Sequence, residues 1–187
     1  MTNLTGKRIA ILATNGFEQS ELLEPQRALQ TAGAETRVVS LEKGEIKGWT
    51  ANNWGQAVPV DLTIDEAQPD DFDGLLLPGG VMNPDRLRLS SKAVQFARAF
   101  FDAHKPIAAI CHGPWLLVEA GIVKGRTLTS WRSLKTDIVN AGGKWVDQEV
   151  VNDAGLITSR MPADIPAFNR AMITALEGAG VKAGVPR

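Results

Sequence analysis

A cysteine stands at the end of an apolar run, in Ile107-Ala108-Ala109-Ile110-Cys111-His112-Gly113-Pro114. As its anion, a thiol is a strong nucleophile toward carbonyl carbon. The run 107–110 reads as a short buried strand. Pro114 suits the first turn of a following helix, where a missing N–H costs nothing. Ala109 and Gly113, two residues either side of Cys111, are small. That is the spacing of the nucleophile elbow G-x-S-x-G, whose small flanks let the backbone fold tightly under the reactive residue. A helix N-terminus favours an anion, so the Cys111 thiol is expected to ionise more easily than a free cysteine. A lone cysteine after a strand is ordinarily an inert buried hydrophobe. Here His112, Gly113 and Pro114 end the strand at once, which favours the reactive reading.

Other residues join this candidate site. Glu18 opens a helix, where an acid also complements the dipole. Lying at the end of the first strand, a protonated Glu18 is placed to donate a hydrogen bond to the sulfur. Glu21 and Glu24, one and two turns on, are expected to face water. Gly79 and Gly80 follow a core strand, and glycine lets a backbone N–H approach a reacting atom closely. With the N–H of His112 they would form an oxyanion hole. Because chain neighbours point in different directions, His112 is either a structural histidine or a general base held by a carboxylate from elsewhere. His104, at a helix end, suits the dipole and is given no catalytic role.

Around these residues, strand-like and helix-like segments alternate. Strands are expected at 7–13, 35–41, 74–77 and 107–110, and helices at 18–31, 92–104, 114–120, 134–141 and 163–176. Residues 42–62 suggest short edge strands or a hairpin, 125–129 a short strand, and 149–158 a hairpin around Asp153-Ala154-Gly155. The last ten residues, 178–187, read as a frayed tail. This alternation implies an α/β fold, a mostly parallel sheet covered on both faces, whose sites form at the carboxyl ends of the strands. No linker or repeat is visible, so 1–187 reads as a single domain.

Composition removes several function classes. Twenty Lys and Arg against 21 Asp and Glu give a net charge of −1, so there is no basic field to hold nucleic acid. One cysteine and two histidines make a metal site improbable. Neither G-x-G-x-x-G nor G-x-x-x-x-G-K-[ST] occurs, so no nucleotide cradle is recognisable and no cofactor is expected. No apolar run approaches the ~20 residues that span a bilayer, and Met1 to Arg8 lacks the pattern of a signal peptide. A single cysteine fits a reducing cytoplasm. Of the five tryptophans, Trp49 and Trp54 are the ones expected to be partly exposed, as at a subunit contact.

Four stretches together resemble the PfpI (intracellular protease I) family, within the superfamily of the Parkinson's-associated protein deglycase. They are Asn15-Gly16-Phe17-Glu18-Gln19-Ser20-Glu21-Leu22, Leu75-Leu76-Leu77-Pro78-Gly79-Gly80, Ala109-Ile110-Cys111-His112-Gly113-Pro114, and Asp147 to Val151 with Ser159-Arg160. The resemblance implies a flavodoxin-like three-layer sandwich similar to class I glutamine amidotransferases. It implies Cys111 as nucleophile, Glu18 as its hydrogen-bonding acid and His112 beside it. It also implies an acid contributed by a neighbouring subunit, for which Asp85 in Asn83-Pro84-Asp85-Arg86 is the candidate, and hence a homodimer or higher homo-oligomer. Amidotransferase chemistry is not implied, because no histidine follows His112.

The resemblance implies a stress-associated cysteine hydrolase acting on small carbonyl, glycated or peptide substrates: deglycase, glyoxalase or peptidase. The rival is a non-catalytic redox sensor or chaperone-like protein built on an oxidisable Cys111. No second cysteine exists to resolve an oxidised sulfur.

Overall fold

The computed structural model describes residues 3–179. In chain order it contains β1 (Arg8–Leu12), β2 (Phe17–Glu18), α1 (Gln19–Thr31), β3 (Glu35–Ser40), β4 (Glu45–Thr50) and β5 (Asn53–Pro59). There follow β6 (Leu62–Thr63), β7 (Gly74–Leu77), α2 (Met82–Leu87), α3 (Ser91–Asp102), β8 (Ile107–Ile110) and α4 (Pro114–Glu119). The chain continues through β9 (Thr127–Leu128), α5 (Lys135–Asn140), β10 (Lys144–Trp145), β11 (Val150–Asp153), β12 (Leu156–Ser159) and α6 (Ile165–Gly178).

Seven strands form one sheet in the order β11-β12-β8-β7-β1-β3-β6. All neighbours are parallel except β11, which runs antiparallel to β12 through the two-residue turn Ala154-Gly155. Ala154 and Gly155 both have positive φ, the twist that suits a tight hairpin. Alternation along the strands divides the core in two. Ala10, Leu12, Leu75, Leu77, Ile107 and Ala109 face one layer with Phe96, Phe100, Leu116 and Ile138, from α3, α4 and α5. Ile9, Ile11, Leu76, Ala108 and Ile110 face the other with Leu22, Leu29, Phe168 and Met172, from α1 and α6. This is the mostly parallel, doubly covered sheet the sequence predicts. The inward stripe of α3 is Ala93, Phe96, Ala97 and Phe100, and Val94 and Phe101 beside it are half-buried.

The order of strands reverses at β1: β3 lies on one side of it and β7 on the other. The crevice of such a sheet opens there, beyond the strands' carboxyl ends. Those ends are Ala13-Thr14-Asn15, Pro78-Gly79-Gly80 and Cys111. The segment 42–62 is an antiparallel hairpin, β4–β5, and β2 pairs with β4 in parallel so that Glu18 lies opposite Trp49. Of the tail expected at 178–187, Gly178 closes α6, and 180–187 lie outside the described residues. No helix among the described residues is long and apolar enough to cross a membrane.

Candidate active site

Cys111 has φ +61°, a left-handed conformation that a side chain ordinarily avoids. The elbow holds it there from both sides. Its N–H donates to Ser159 O at 3.0 Å, extending the β8–β12 ladder, and its carbonyl accepts from Trp131 N–H at 2.9 Å. A Cβ on Gly113 would lie 2.5 Å from Leu77 O and 2.9 Å from Ile110 O. The elbow therefore needs glycine for close approach to β7, and strain at the nucleophile is offset by packing beneath it.

The carboxyl beside the sulfur is Glu21, not Glu18. Glu21 is fully buried. Its Oε2 accepts from Gly79 N–H at 3.0 Å, and the carboxyl also interacts with the Cys111 thiol. Its Oε1 is left without a regular hydrogen-bond partner. Burial, and secondarily the charge of Glu18, push the Glu21 pKa up to about 8, against the Gly79 and Cys111 hydrogen bonds. Glu21 is thus a neutral acid at pH 7. The physical reason is helical phase: Glu21 heads the buried stripe Glu21, Leu22, Pro25, Leu29. Glu18 precedes the helix in extended conformation. Its N–H donates to Gly79 O at 3.3 Å, and its half-buried carboxylate accepts from Ser20 Oγ at 3.3 Å. It borders the cleft rather than touching the sulfur.

The thiol also departs from expectation. Cys111 is 8% exposed, and burial followed by the Glu21 carboxylate raises its pKa; the Gly80 and His112 N–H groups, both donating to the sulfur, oppose this. Helix α4 has only six residues, and its dipole does not overcome desolvation. Once Glu21 carries its proton, the repulsive contribution is gone and burial alone opposes the two amides. Against the expected easily ionised thiolate, burial works to hold the thiol pKa above its ordinary value.

His112 supplies a nitrogen that can accept the thiol proton: Nδ1 lies 3.2 Å from Cys111 Sγ, so these chain neighbours do meet. Burial lowers the His112 pKa, keeping the ring neutral and Nδ1 able to accept. The ring sits edge-on to Trp115 at 5.3 Å and stacks on Trp131 at 6.2 Å. Nε2 is 3.5 Å from Ser133 Oγ. Asp85 lies exposed on α2 and makes no hydrogen bond or ion pair among the described residues.

Of the two glycines expected in an oxyanion hole, Gly79 spends its N–H on Glu21. Gly80 N–H and His112 N–H remain at the sulfur. Gly80 has φ +79°, and a Cβ there would lie 2.7 Å from Glu18 N.

Sequence reasoning missed three contributors. Buried Asn83 accepts from Thr14 N–H at 2.8 Å and donates to Pro78 O at 2.9 Å, tying the ends of β1 and β7 together. Trp49 and Trp131 wall a cleft of about 350 Å³ with Glu18, Glu21, Val81, Cys111, His112 and Pro162. The β2–β4 pairing brings Trp49 there; Trp54, on the next strand, packs edge-on to it at 5.4 Å and is 48% exposed. His104, just past α3, also has positive φ and lies apart from this cleft.

A parallel sheet presenting a cysteine on a strained strand–helix turn, with a buried acid and a histidine in contact, defines an α/β protein of the cysteine-elbow class. Residues 7–175 match the DJ-1/PfpI family, and the chain belongs to that family. Deglycase PfpI of Pyrococcus furiosus is 45% identical over 170 residues, covering 91% of this chain and 99% of that one. General stress protein 18 of Bacillus subtilis is 47% identical over 175 residues, covering 92% and 99%. The crystal structure of Drosophila melanogaster DJ-1beta superposes with a TM-score of 0.83 at 30% identity, covering 92% and 91%.

Proposed function

We propose that this protein is a stress-associated cysteine hydrolase in which Cys111 attacks the carbonyl carbon of small aldehydes or of early glycation adducts. The observation that carries the reading is the 3.2 Å contact between Cys111 Sγ and His112 Nδ1 at the floor of the cleft. Sulfur gives its proton to Nδ1 as it bonds to carbon, and the carbonyl electron pair moves onto oxygen. The Gly80 and His112 amides, which hold the sulfur at rest, then face the new oxyanion. Neutral Glu21 keeps a second negative charge away from the sulfur.

Deglycase, glyoxalase and peptidase activities share this first step. A cleft of about 350 Å³ suits a small carbonyl better than an extended peptide, and the name of the Pyrococcus relative supports deglycation. Asp85 is assigned to the active site of a neighbouring subunit in a homo-oligomer. In support, it stands on the surface with exposed Val81 and Leu89, 56% and 84% accessible, as a face that a second copy would cover. The rival reading, a redox sensor, is weakened by the chain's single cysteine, which leaves no partner thiol to resolve an oxidised sulfur by an internal disulfide.

Turnover of methylglyoxal and of a glycated peptide by wild type and Cys111→Ser tests the reading. Wild type is expected to turn over at least one, and the variant neither. Equal behaviour of the two proteins would overturn it.

A further inference from the structure

We infer that Arg132 selects substrates bearing a carboxylate: with the substrate carbonyl at Cys111, the guanidinium binds that carboxylate across Trp131. This rests on the cysteine-hydrolase reading of the same site and names the substrate class it would take. Beside the catalytic cleft lies a second cavity of about 330 Å³, lined by Ser130, Trp131, Arg132, Asp147, Arg160 and Met161. Trp131 lines both, and Pro162 of the cleft follows Met161 of the cavity in the chain. The two spaces therefore adjoin along Trp131. His112 borders the cleft alone and Arg132 the second cavity alone. An acid reaching the histidine from a neighbouring subunit and a carboxylate bound by Arg132 thus occupy different places.

Charge decides what the second cavity takes. No Lys or Arg lines the catalytic cleft, and with Glu21 protonated and His112 neutral its ionised side chain is Glu18. An anionic tail is repelled there and leaves the cleft on the side away from Glu18. In the second cavity Arg160 is neutralised by Asp147 at 2.7 Å and Asp164 at 2.8 Å. Arg132 makes no ion pair or side-chain hydrogen bond among the described residues; its Cζ stands 5.6 Å from the centre of the Trp131 ring. That cation–π contact holds the planar fork with its N–H donors unspent, which lowers the entropy lost when a carboxylate binds. One unpaired guanidinium balances a monoanion, whereas a doubly charged phosphate would leave excess negative charge beside Asp147. The base of the side chain is anchored to the nucleophile. Trp131 N–H donates to Cys111 O at 2.9 Å, and Leu134 N–H closes the turn Arg132–Leu134 by donating to Trp131 O at 3.0 Å.

Cys111 is the chain's one cysteine, so its alkylation reads the site without turnover. The probes are the iodoacetyl derivatives of glycine, β-alanine and γ-aminobutyrate, each compared with its amide, with rates divided by those on free cysteine. In wild type at low salt, at least one acid is expected to react about three- to fivefold faster than its amide, the upper range for an exposed ion pair. High salt should bring that ratio toward one. Arg132→Ala should abolish the preference, and Arg132→Lys, which keeps the charge without the fork, should retain part of it. Arg132 is exposed, so the variants are expected to fold. In turnover, the methylglyoxal adduct of Nα-acetyl-lysine should show a lower KM than that of its amide in wild type and an equal one in Arg132→Ala. A wild-type ratio at or below one for every pair, as would follow if an acid of a neighbouring subunit neutralised Arg132, would overturn the inference. So would a preference that survives in Arg132→Ala. Absence of any turnover by wild type would instead overturn the hydrolase reading, while the alkylation ratios would still decide the role of Arg132.

Discussion

Glu21 and Cys111 meet because Gly79 has no side chain. A Cβ on Gly79 would lie 2.5 Å from Glu21 Oε2 and 2.7 Å from Cys111 Cβ, with Ile110 O at 2.8 Å. Glu21 Oε2 ends a side chain, though a buried one, but Cys111 Cβ and Ile110 O cannot swing aside. Gly79→Ala must therefore separate the carboxyl from the sulfur or shift the β7 turn, at about 1–3 kcal/mol for overpacking. Urea unfolding should show a loss of that size. Alkylation of Cys111 by iodoacetamide should change rate, since its neighbours have moved. Unaltered stability and reactivity would mean that the close fit has no consequence.

The proton on Glu21 ties stability to pH. In the unfolded chain the carboxyl titrates at its ordinary 4.5, and in the fold at about 8. Between those values the native state binds more protons than the unfolded state, so this group's stabilisation is full below pH 4.5 and lost as pH rises through 8. At about 1.4 kcal/mol per pH unit, the 3.5-unit interval sets an upper bound of about 5 kcal/mol. Glu21→Gln keeps the shape without the titration. The difference in unfolding free energy, wild type minus variant, should fall by several kcal/mol from pH 4.5 to pH 8.5. A difference independent of pH would show that Glu21 is already ionised at neutrality.

The sheet and the elbow were legible because both are local. Strands β1, β7 and β8 are short apolar runs, and Ala109, Gly113 and Pro114 announce the turn within a few residues. Glu21 was not read, because a buried carboxyl runs against the strong tendency of charged residues toward water. A usable signal existed: extending the stripe Leu29, Pro25, Leu22 back by helical phase reaches position 21. What sequence spacing does not contain is that Gly79, 58 residues away, supplies the N–H that receives this carboxyl. The same holds for Trp49, which reaches the cleft only through a two-residue pairing of β2 with β4. Desolvation of the Cys111 thiol is likewise a property of the assembled crevice and not of the helix that follows it.

Strain at the nucleophile is separable from its contacts by comparing two truncations. Cys111→Ala and Cys111→Gly both remove the sulfur, but only alanine keeps a Cβ at φ +61°. The left-handed conformation costs a residue with a Cβ about 1 kcal/mol or more, partly offset by the greater freedom of glycine in the unfolded chain. The glycine variant is expected to be the more stable of the two, by about 0.5–1 kcal/mol in urea unfolding. Greater stability of the alanine variant would mean that the elbow is unstrained in solution.

The assignment of Asp85 across a subunit boundary makes a prediction that a single-chain site does not. Cys111→Ser lacks the nucleophile and Asp85→Ala lacks the proposed acid, so each alone should be inactive or nearly so. In a hetero-oligomer formed by co-expression, some interfaces join an intact Cys111 from one chain to an intact Asp85 from the other. For a two-fold interface with random mixing, half the assemblies are hybrids, and each hybrid holds one complete site of two. About a quarter of wild-type activity should then return, and dilution that separates the subunits should remove it. Because Asp85 is exposed on α2, its replacement by alanine is expected to leave folding within about 0.5 kcal/mol of wild type. Activity in the mixture equal to the average of the two separate variants, or full activity of Asp85→Ala alone, would remove Asp85 from the site.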